Sequence, residues 1–413
     1  MKKTFLYVLT ASIIFCAYAC NKDDAQKEVK PAKPIELTTR QGEKATADNN
    51  FAFSIFKEVS ALAEEPNTFF SPLSLNIALG MLYNGASGDT RTEMAEVLGM
   101  ADFTETEINE YYQKMSQALL NIDPLTDISI ANSIWYRDGL PVKQPFINVN
   151  KTYFDAEVKS LDFNKSDAAG IINKWCADKT KNRIKEIINP PISADVMMYL
   201  INALYFKSKW ESQFDKANTK QDDFTKVNNQ KIKVNMMEQT ANFPYYVDEN
   251  IKCIEMPYGN QAFSMVAILP ENDMNLDQLI EYLDNDKWQN IANNMYERNV
   301  WLKLPRFKIE CDIPLNKPVK NVGMQQIFDP LLANFVNISD IDLCVSEIKQ
   351  KTFVEVNEEG TEAAAVTVIT IGVTSVGPST PPQFFANRPF LYLIKEKSTG
   401  TILFIGRMDE PQE

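Results

Sequence analysis

The chain has 413 residues and no histidine. That absence removes Ser-His-Asp and Cys-His nucleophile systems and the imidazole-ligated zinc hydrolase sites. Carboxylate dyads and Ser-Lys pairs stay open, but no motif points to them, so the chain is not expected to be an enzyme. Glycine is scarce at 14 residues and proline numbers 21, which excludes a fibre, a collagen or a disordered array. There is no basic stripe with interleaved aromatics, and the formal net charge is −13. Such a surface repels phosphate backbones, so no nucleic acid partner is expected. Beyond residue 20 the cysteines are Cys176, Cys253, Cys311 and Cys344, widely spaced and without a CxxC pair. Metal binding is not expected; four small core side chains is the plain reading, with disulfides open if the chain is exported. No cofactor motif is present.

Hydrophobic residues make up 45% of the chain, enough for a sizeable core. Lys2 and Lys3, the apolar run Phe5 to Ala19, and the small residues Ala17 and Ala19 around Tyr18 form an export signal over 1–19. The run is too short to serve as a membrane-spanning helix with its flanks. Cys20 follows at once. Small residues leading directly to a cysteine resemble a bacterial lipobox, in which the thiol takes a diacylglycerol; the alternative is plain secretion with Cys20 there by accident. Asn21-Lys22-Asp23-Asp24 is similar to a Lys-plus-acids signal that sends some Gram-negative lipoproteins to the outer face.

Residues 20–48 are rich in Lys, Glu, Asp and Thr and read as a flexible tether. Phe51, Phe53, Ile55, Phe56, Val59 and Leu62 mark the first structured helix, and 49–413 reads as one large domain. Ser71-Pro72 starts a helix, with Ser at the cap and Pro at the first helical position. Thr90 with Glu93 reads as a capping box. Strand patterns run over Ile128 to Tyr136, Val196 to Phe206, Phe263 to Leu269, Val300 to Ile309, Thr352 to Val356, Phe390 to Ile394 and Ile402 to Ile405. Helices and strands do not alternate one for one, which points to an α+β fold.

The most informative stretch runs from Thr352 to Pro389. A strand ends near Val356, and Glu358-Glu359-Gly360-Thr361-Glu362-Ala363-Ala364-Ala365 follows. At period two, Thr361, Ala363, Ala365, Thr367, Ile369 and Ile371 share one uncharged face. Gly360 interrupts this pattern, and Pro378, Pro381 and Pro382 end it. A β-prone segment bounded like a loop suits a strand in one state and a loop in another; a core strand with a long turn is the plain alternative.

Glu358 to Ala365 looks like the hinge of a serpin reactive-centre loop, in its inhibitory form. Other blocks resemble that family in order: Asn67 to Ser74, Asn84-Gly85-Ala86 with Thr90, Ala131 to Trp135, Asn202 to Lys207 with Trp210, Leu304 to Phe307, and Asn387 to Phe390. The resemblance covers essentially 49–408. It implies three β-sheets, eight to nine helices and an exposed loop over about 358–382.

In that family a target serine protease attacks the loop, and the cut hinge enters the central sheet as a new strand. The resemblance implies a suicide-substrate inhibitor of serine proteases, and of some cysteine proteases. Counting from Gly360 puts the reactive bond at Thr374-Ser375, within a window from Val373 to Val376. Its small and aliphatic residues suit elastase-like or subtilisin-like proteases. A shutter of Ser71, Ser74, Asn202 and Gln350 is implied beneath the sheet, with Gln350 where many relatives carry His. A breach of Arg306, Trp210 and Glu358 is implied at its top, with Arg306 and Glu358 paired at the surface. With Cys20 acylated, the expectation is a monomer lipid-anchored to a bacterial outer membrane and exposed at the cell surface. A non-inhibitory binding or structural lipoprotein is the alternative; bulky or charged inward hinge residues would favour it, and they are absent.

Overall fold

A computed structural model describes residues 31–361 and 381–412. The export signal, Cys20, Glu362 to Ala365 and the Thr374-Ser375 bond lie outside the described residues.

Nine α-helices occur among the described residues: α1 (Thr39–Ala61), α2 (Pro72–Tyr83), α3 (Gly88–Val97), α4 (Glu105–Asn121), α5 (Gln144–Phe154), α6 (Ala168–Lys179), α7 (Leu276–Tyr282), α8 (Asn285–Asn293) and α9 (Asn316–Asn321). The strands are β1 (Thr68–Phe70), β2 (Asp127–Arg137), β3 (Glu157–Leu161), β4 (Met198–Lys209), β5 (Lys220–Thr225), β6 (Lys231–Val247), β7 (Ile251–Pro257), β8 (Phe263–Pro270), β9 (Tyr296–Pro305), β10 (Phe307–Pro314), β11 (Lys349–Asn357), β12 (Gly360–Thr361), β13 (Gln383–Phe385), β14 (Phe390–Glu396) and β15 (Ile402–Met408).

Six strands form one sheet in the order β10-β11-β12-β4-β2-β3. The other nine follow the path β1-β15-β14-β8-β7-β6-β9-β13, with β5 added on β6. The 17-residue β6 joins what would otherwise be two sheets. Its start pairs with β5, its middle with β9 and its last three residues with β7. The three expected sheets are therefore present with two of them continuous through β6.

α2 lies between the two large sheets, packing on both β4 and β15. It starts as expected, because Ser71 Oγ accepts from Ser74 N at 3.2 Å with Pro72 in the first turn. Along β2 and β4 the two faces divide by period two. Ile134, Leu204 and Phe206 join the main core, whereas Trp135, Ile201 and Ala203 face a second core beneath α6 with Trp175 and Ile172. β8 is buried at every position, Ser264 included, which explains its nearly continuous apolar run.

Three sequence expectations change. The folded body begins well before residue 49. α1 starts at Thr39 behind a capping box in which Thr38 and Gln41 exchange side-chain and backbone bonds of 3.3 and 3.1 Å. Lys44 and Asp48 are buried as an ion pair, and Ala32 N is bonded to Asn260 O at 3.0 Å. Charge density suggested solvent here, but internal pairing lets these charges be buried. Second, Thr90 does not cap a helix. α3 begins at Gly88; Thr90 Oγ1 accepts from Asn334 N, and Glu93 accepts from Gln325 N and Gln326 N. Third, Val300 to Ile309 is two strands, broken at Arg306.

Among the described cysteines, Cys176 and Cys253 are buried, Cys311 is half-buried and Cys344 is exposed, all as free thiols. Only the first two fit a fully buried core role.

Candidate functional site

β11 alternates buried and half-buried residues up to Asn357, so Gln350, Thr352, Val354 and Val356 share its inner face. The chain then turns through Glu358 and Glu359 and re-enters the sheet as β12. Gly360 and Thr361 pair antiparallel with Asn357 and Val356 on one side, and with Lys209 and Ser208 on the other. The start of the hinge thus sits between β11 and β4. Gly360 has φ +152°, and a Cβ there would lie 2.1 Å from Ser208 O, so only glycine fits this close approach.

Past Thr361, no described residue pairs the facing edges of β4 and β11. At the level of β12 they are two strand spacings apart, about 9–10 Å. A cavity of about 350 Å³ opens between them, lined by Ser71, Ser74, Tyr199, Asn202, Gln350 and Thr352 among others. Two edges a strand's width apart, unpaired among the described residues, are a template for an added strand.

Arg306, Trp210 and Glu358 lie together at the end of β12. Arg306 Nε donates to Glu358 Oε1 at 2.7 Å, and Thr219 Oγ1 donates to the same oxygen at 2.5 Å. Trp210 N donates to Glu359 O at 2.9 Å, Trp210 Nε1 to Asn357 O at 2.8 Å, and Phe214 N to Glu358 O at 2.9 Å. Lys216 Nζ reaches Glu359 Oε1 at 2.5 Å. The pair is not a surface pair, however. Glu358 is only 1% exposed. Burial works against its ionisation, but the donors Arg306 and Thr219 outweigh it and hold its pKa below the ordinary value.

The shutter residues meet differently from the expectation. Gln350 Oε1 accepts from Ser71 N at 2.6 Å and Gln350 Nε2 donates to Ser71 O at 2.9 Å. Both ends of the amide are therefore used on one backbone unit. Asn202 turns to Asn132, donating to Oδ1 at 2.7 Å, and its backbone carbonyl accepts from Ser74 Oγ at 3.5 Å. Asn202 Oδ1 is buried without a hydrogen-bond partner among the described residues.

A family model described as Serpin (serine protease inhibitor) matches residues 46–411. The chain belongs to the serpin family. This serpin is 34% identical to human neuroserpin over 90% of its own length and 92% of the relative's. Among solved structures it is similar to the thermophilic serpin tengpin in its native state, with TM-score 0.83 and 31% identity over 93% of this chain and 97% of that one. It is also similar to thyroxine-binding globulin in complex with thyroxine, with TM-score 0.80 and 27% identity over 89% and 99% of the two chains. The serpin fold, with nine helices among the described residues, agrees with the resemblance. Serpins are generally protease inhibitors rather than enzymes, and their usual partners are proteases.

Sequence reasoning missed Ser208, Thr219 and Tyr258. Tyr258 is fully buried; its hydroxyl lies 2.6 Å from Thr361 Oγ1, and its ring stacks on Trp210 at 4.4 Å. Burial pushes its phenol far above the ordinary value, so the hydroxyl stays protonated. The partners are about a hundred residues apart in sequence, and no local signal links them.

Proposed function

We propose that this serpin is an inhibitory one, a suicide substrate that traps serine proteases by inserting its cleaved loop between β4 and β11. The observation that carries the reading is the strand-wide gap with the hinge already seated at its mouth. Continued at the register of β12, Ala363 would face Phe206 and Val354, Ala365 would face Leu204 and Thr352, and Thr367 would face Asn202 and Gln350. Those β4 and β11 positions belong to the inner faces. Small, uncharged residues there oppose insertion least, as the period-two pattern of the hinge requires.

In this mechanism a target protease's serine attacks the reactive bond and forms an acyl-enzyme, releasing the new loop end. Insertion then competes with water for the acyl group. The bond is assigned to Thr374-Ser375, and its small aliphatic surroundings suit elastase-like or subtilisin-like targets. Export through residues 1–19 and acylation of Cys20 would tether the inhibitor, as a monomer, to the outer face of a bacterial outer membrane. The folded body starts near Ala32, so the tether is shorter than composition alone suggests.

The test is incubation with an elastase. An SDS-stable complex of summed mass supports the reading, and the mass of the released C-terminal fragment locates the bond. Complete cleavage with active elastase recovered overturns it. That result would instead favour a non-inhibitory binding protein, the second reading, which draws on the likeness to thyroxine-binding globulin.

A further inference from the structure

Tyr258 closes a small chain of contacts that the proposed mechanism does not by itself require. The residue follows β7 and is held by its own backbone, with Tyr258 N donating to Phe263 O at 2.8 Å. Its ring is fixed between Trp210, stacked at 11°, and Phe206, edge-on at 5.5 Å. The phenol is thus immobilised before it meets the hinge. Its hydroxyl ends at Thr361 Oγ1, its partner among the described residues, and both side chains are buried. A phenylalanine would serve the stacking equally well. What the hydroxyl adds is a polar group that has to be matched once buried.

The neighbouring contacts act on backbone. Trp210 holds Asn357 O and Glu359 O, and Phe214 N holds Glu358 O. These bonds are indifferent to hinge sequence. Arg306, Thr219 and Lys216 read the Glu358 and Glu359 side chains ahead of the turn; within β12 itself, the Tyr258–Thr361 contact is the side-chain hydrogen bond among the described residues.

We propose that Tyr258 is the positioning residue that sets the resting depth of the hinge: its buried hydroxyl takes Thr361 as partner and holds Gly360–Thr361 inside the six-stranded sheet of the uncut protein. If Thr361 withdraws, its hydroxyl meets water, but the Tyr258 hydroxyl stays behind, buried beside Trp210 and Phe206, without that partner. Leaving a buried polar group unmatched is more costly than removing both partners together. The hinge therefore rests two residues deep, with the incoming strand already in register on both sides. The purpose of the latch rests on the proposed inhibitory function, but its existence does not.

The test uses the intact chain with no protease present, so its failure is separable from failure of inhibition. Amide hydrogen exchange is followed at Gly360 and Thr361, with Trp210 emission as a second reporter. Tyr258→Phe and Thr361→Val should each speed exchange at these amides roughly tenfold, the scale of one unmatched buried hydroxyl. Thr361→Ser, which keeps the hydroxyl, should stay close to wild type. The double variant Tyr258→Phe/Thr361→Val should be accelerated about as much as either single variant rather than by the product of the two, a non-additivity expected only of directly coupled groups. Unchanged exchange in Thr361→Val, or additive acceleration in the double variant, overturns the latch. If Tyr258→Phe does not fold, the contrast between Thr361→Val and Thr361→Ser decides alone.

Discussion

Arg306 and Glu358 meet at the top of the six-stranded sheet, with Arg306 Nε 2.7 Å from Glu358 Oε1, and the carboxylate is buried although the guanidinium is one-third exposed. Arg306 can reach it because the strand breaks there: Arg306 lies between β9 and β10, with its backbone N bonded to Asn235 O at 2.9 Å. The hinge is therefore pinned at a charge before it turns into the sheet.

Glu358→Lys should loosen this pin and promote loop–sheet polymers on mild heating, read by size-exclusion chromatography. The lost charged hydrogen bonds are worth about 1.5–3 kcal/mol. Acid should act in the same direction. A carboxylate whose pKa is lowered on folding stabilises the fold above its ordinary pKa, and that contribution is lost as pH falls through the lowered value. Hinge amides should thus lose protection below the ordinary carboxylate range. A Glu358→Lys variant that stays monomeric on heating removes the pin from the account.

Gly360→Ala should push β12 out of the sheet. The new Cβ would meet Ser208 O at 2.1 Å and Lys209 Cα at 2.6 Å, backbone atoms of a paired strand that cannot swing aside. The cost is on the order of 1–3 kcal/mol. Amide exchange at 360–361 should approach that of an open loop while β4 stays protected. Wild-type protection in the variant would mean that the seat is roomier than these distances allow.

Gln350→Leu should destabilise the uncut protein by about 1–3 kcal/mol, because Ser71 N and Ser71 O lose the amide that satisfies both. Denaturant midpoints measure this. A change of less than about 0.5 kcal/mol would show that water or a neighbour replaces Gln350.

Thr361→Arg should convert the inhibitor into a substrate. Thr361 is 2% exposed beneath Tyr258, so a charge there must be buried or must hold the hinge out. Each increase of about 1.4 kcal/mol in the insertion barrier slows that step roughly tenfold while deacylation continues. Ala365→Glu should act alike, and Glu362→Ala, on the opposite face of the period-two pattern, far less. The readout is the number of inhibitor molecules consumed per protease trapped. Trapping by Thr361→Arg at wild-type efficiency would falsify strand insertion as the mechanism.

On the proposed lipid anchor at Cys20, Cys20→Ala should move the protein into the soluble fraction, because stable anchoring needs more than one acyl chain and a diacylglycerol would supply two. Persistent membrane association of the variant would require another anchor.

Much of this was legible along the chain. The cap at Ser71, the ordered serpin-like blocks, and the small uncharged face Thr361, Ala363, Ala365 are local patterns, and local patterns survive in sequence. The same locality explains the errors. Lys44 and Asp48 look like solvated tether because their burial depends on packing against α4, where the Tyr111 and Tyr112 rings flank the ammonium. Val300 to Ile309 reads as one strand although Pro305, which has no N–H to give a ladder, marks the break locally; what the sequence does not show is that the break lets Arg306 reach Glu358, 52 residues on.

The sequence by itself determined the family, the helix start at Ser71, the hinge composition and the absence of histidine chemistry, each through spacing or residue type. Only the tertiary structure decided how deep the hinge rests, which residue holds it, and that the strand position beside it lacks a partner among the described residues. Those properties depend on register between β4, β11 and β12 and on side chains brought together across about 50 to 150 residues. Register is set by which faces are buried together, and that is a property of the packed sheet rather than of any one segment.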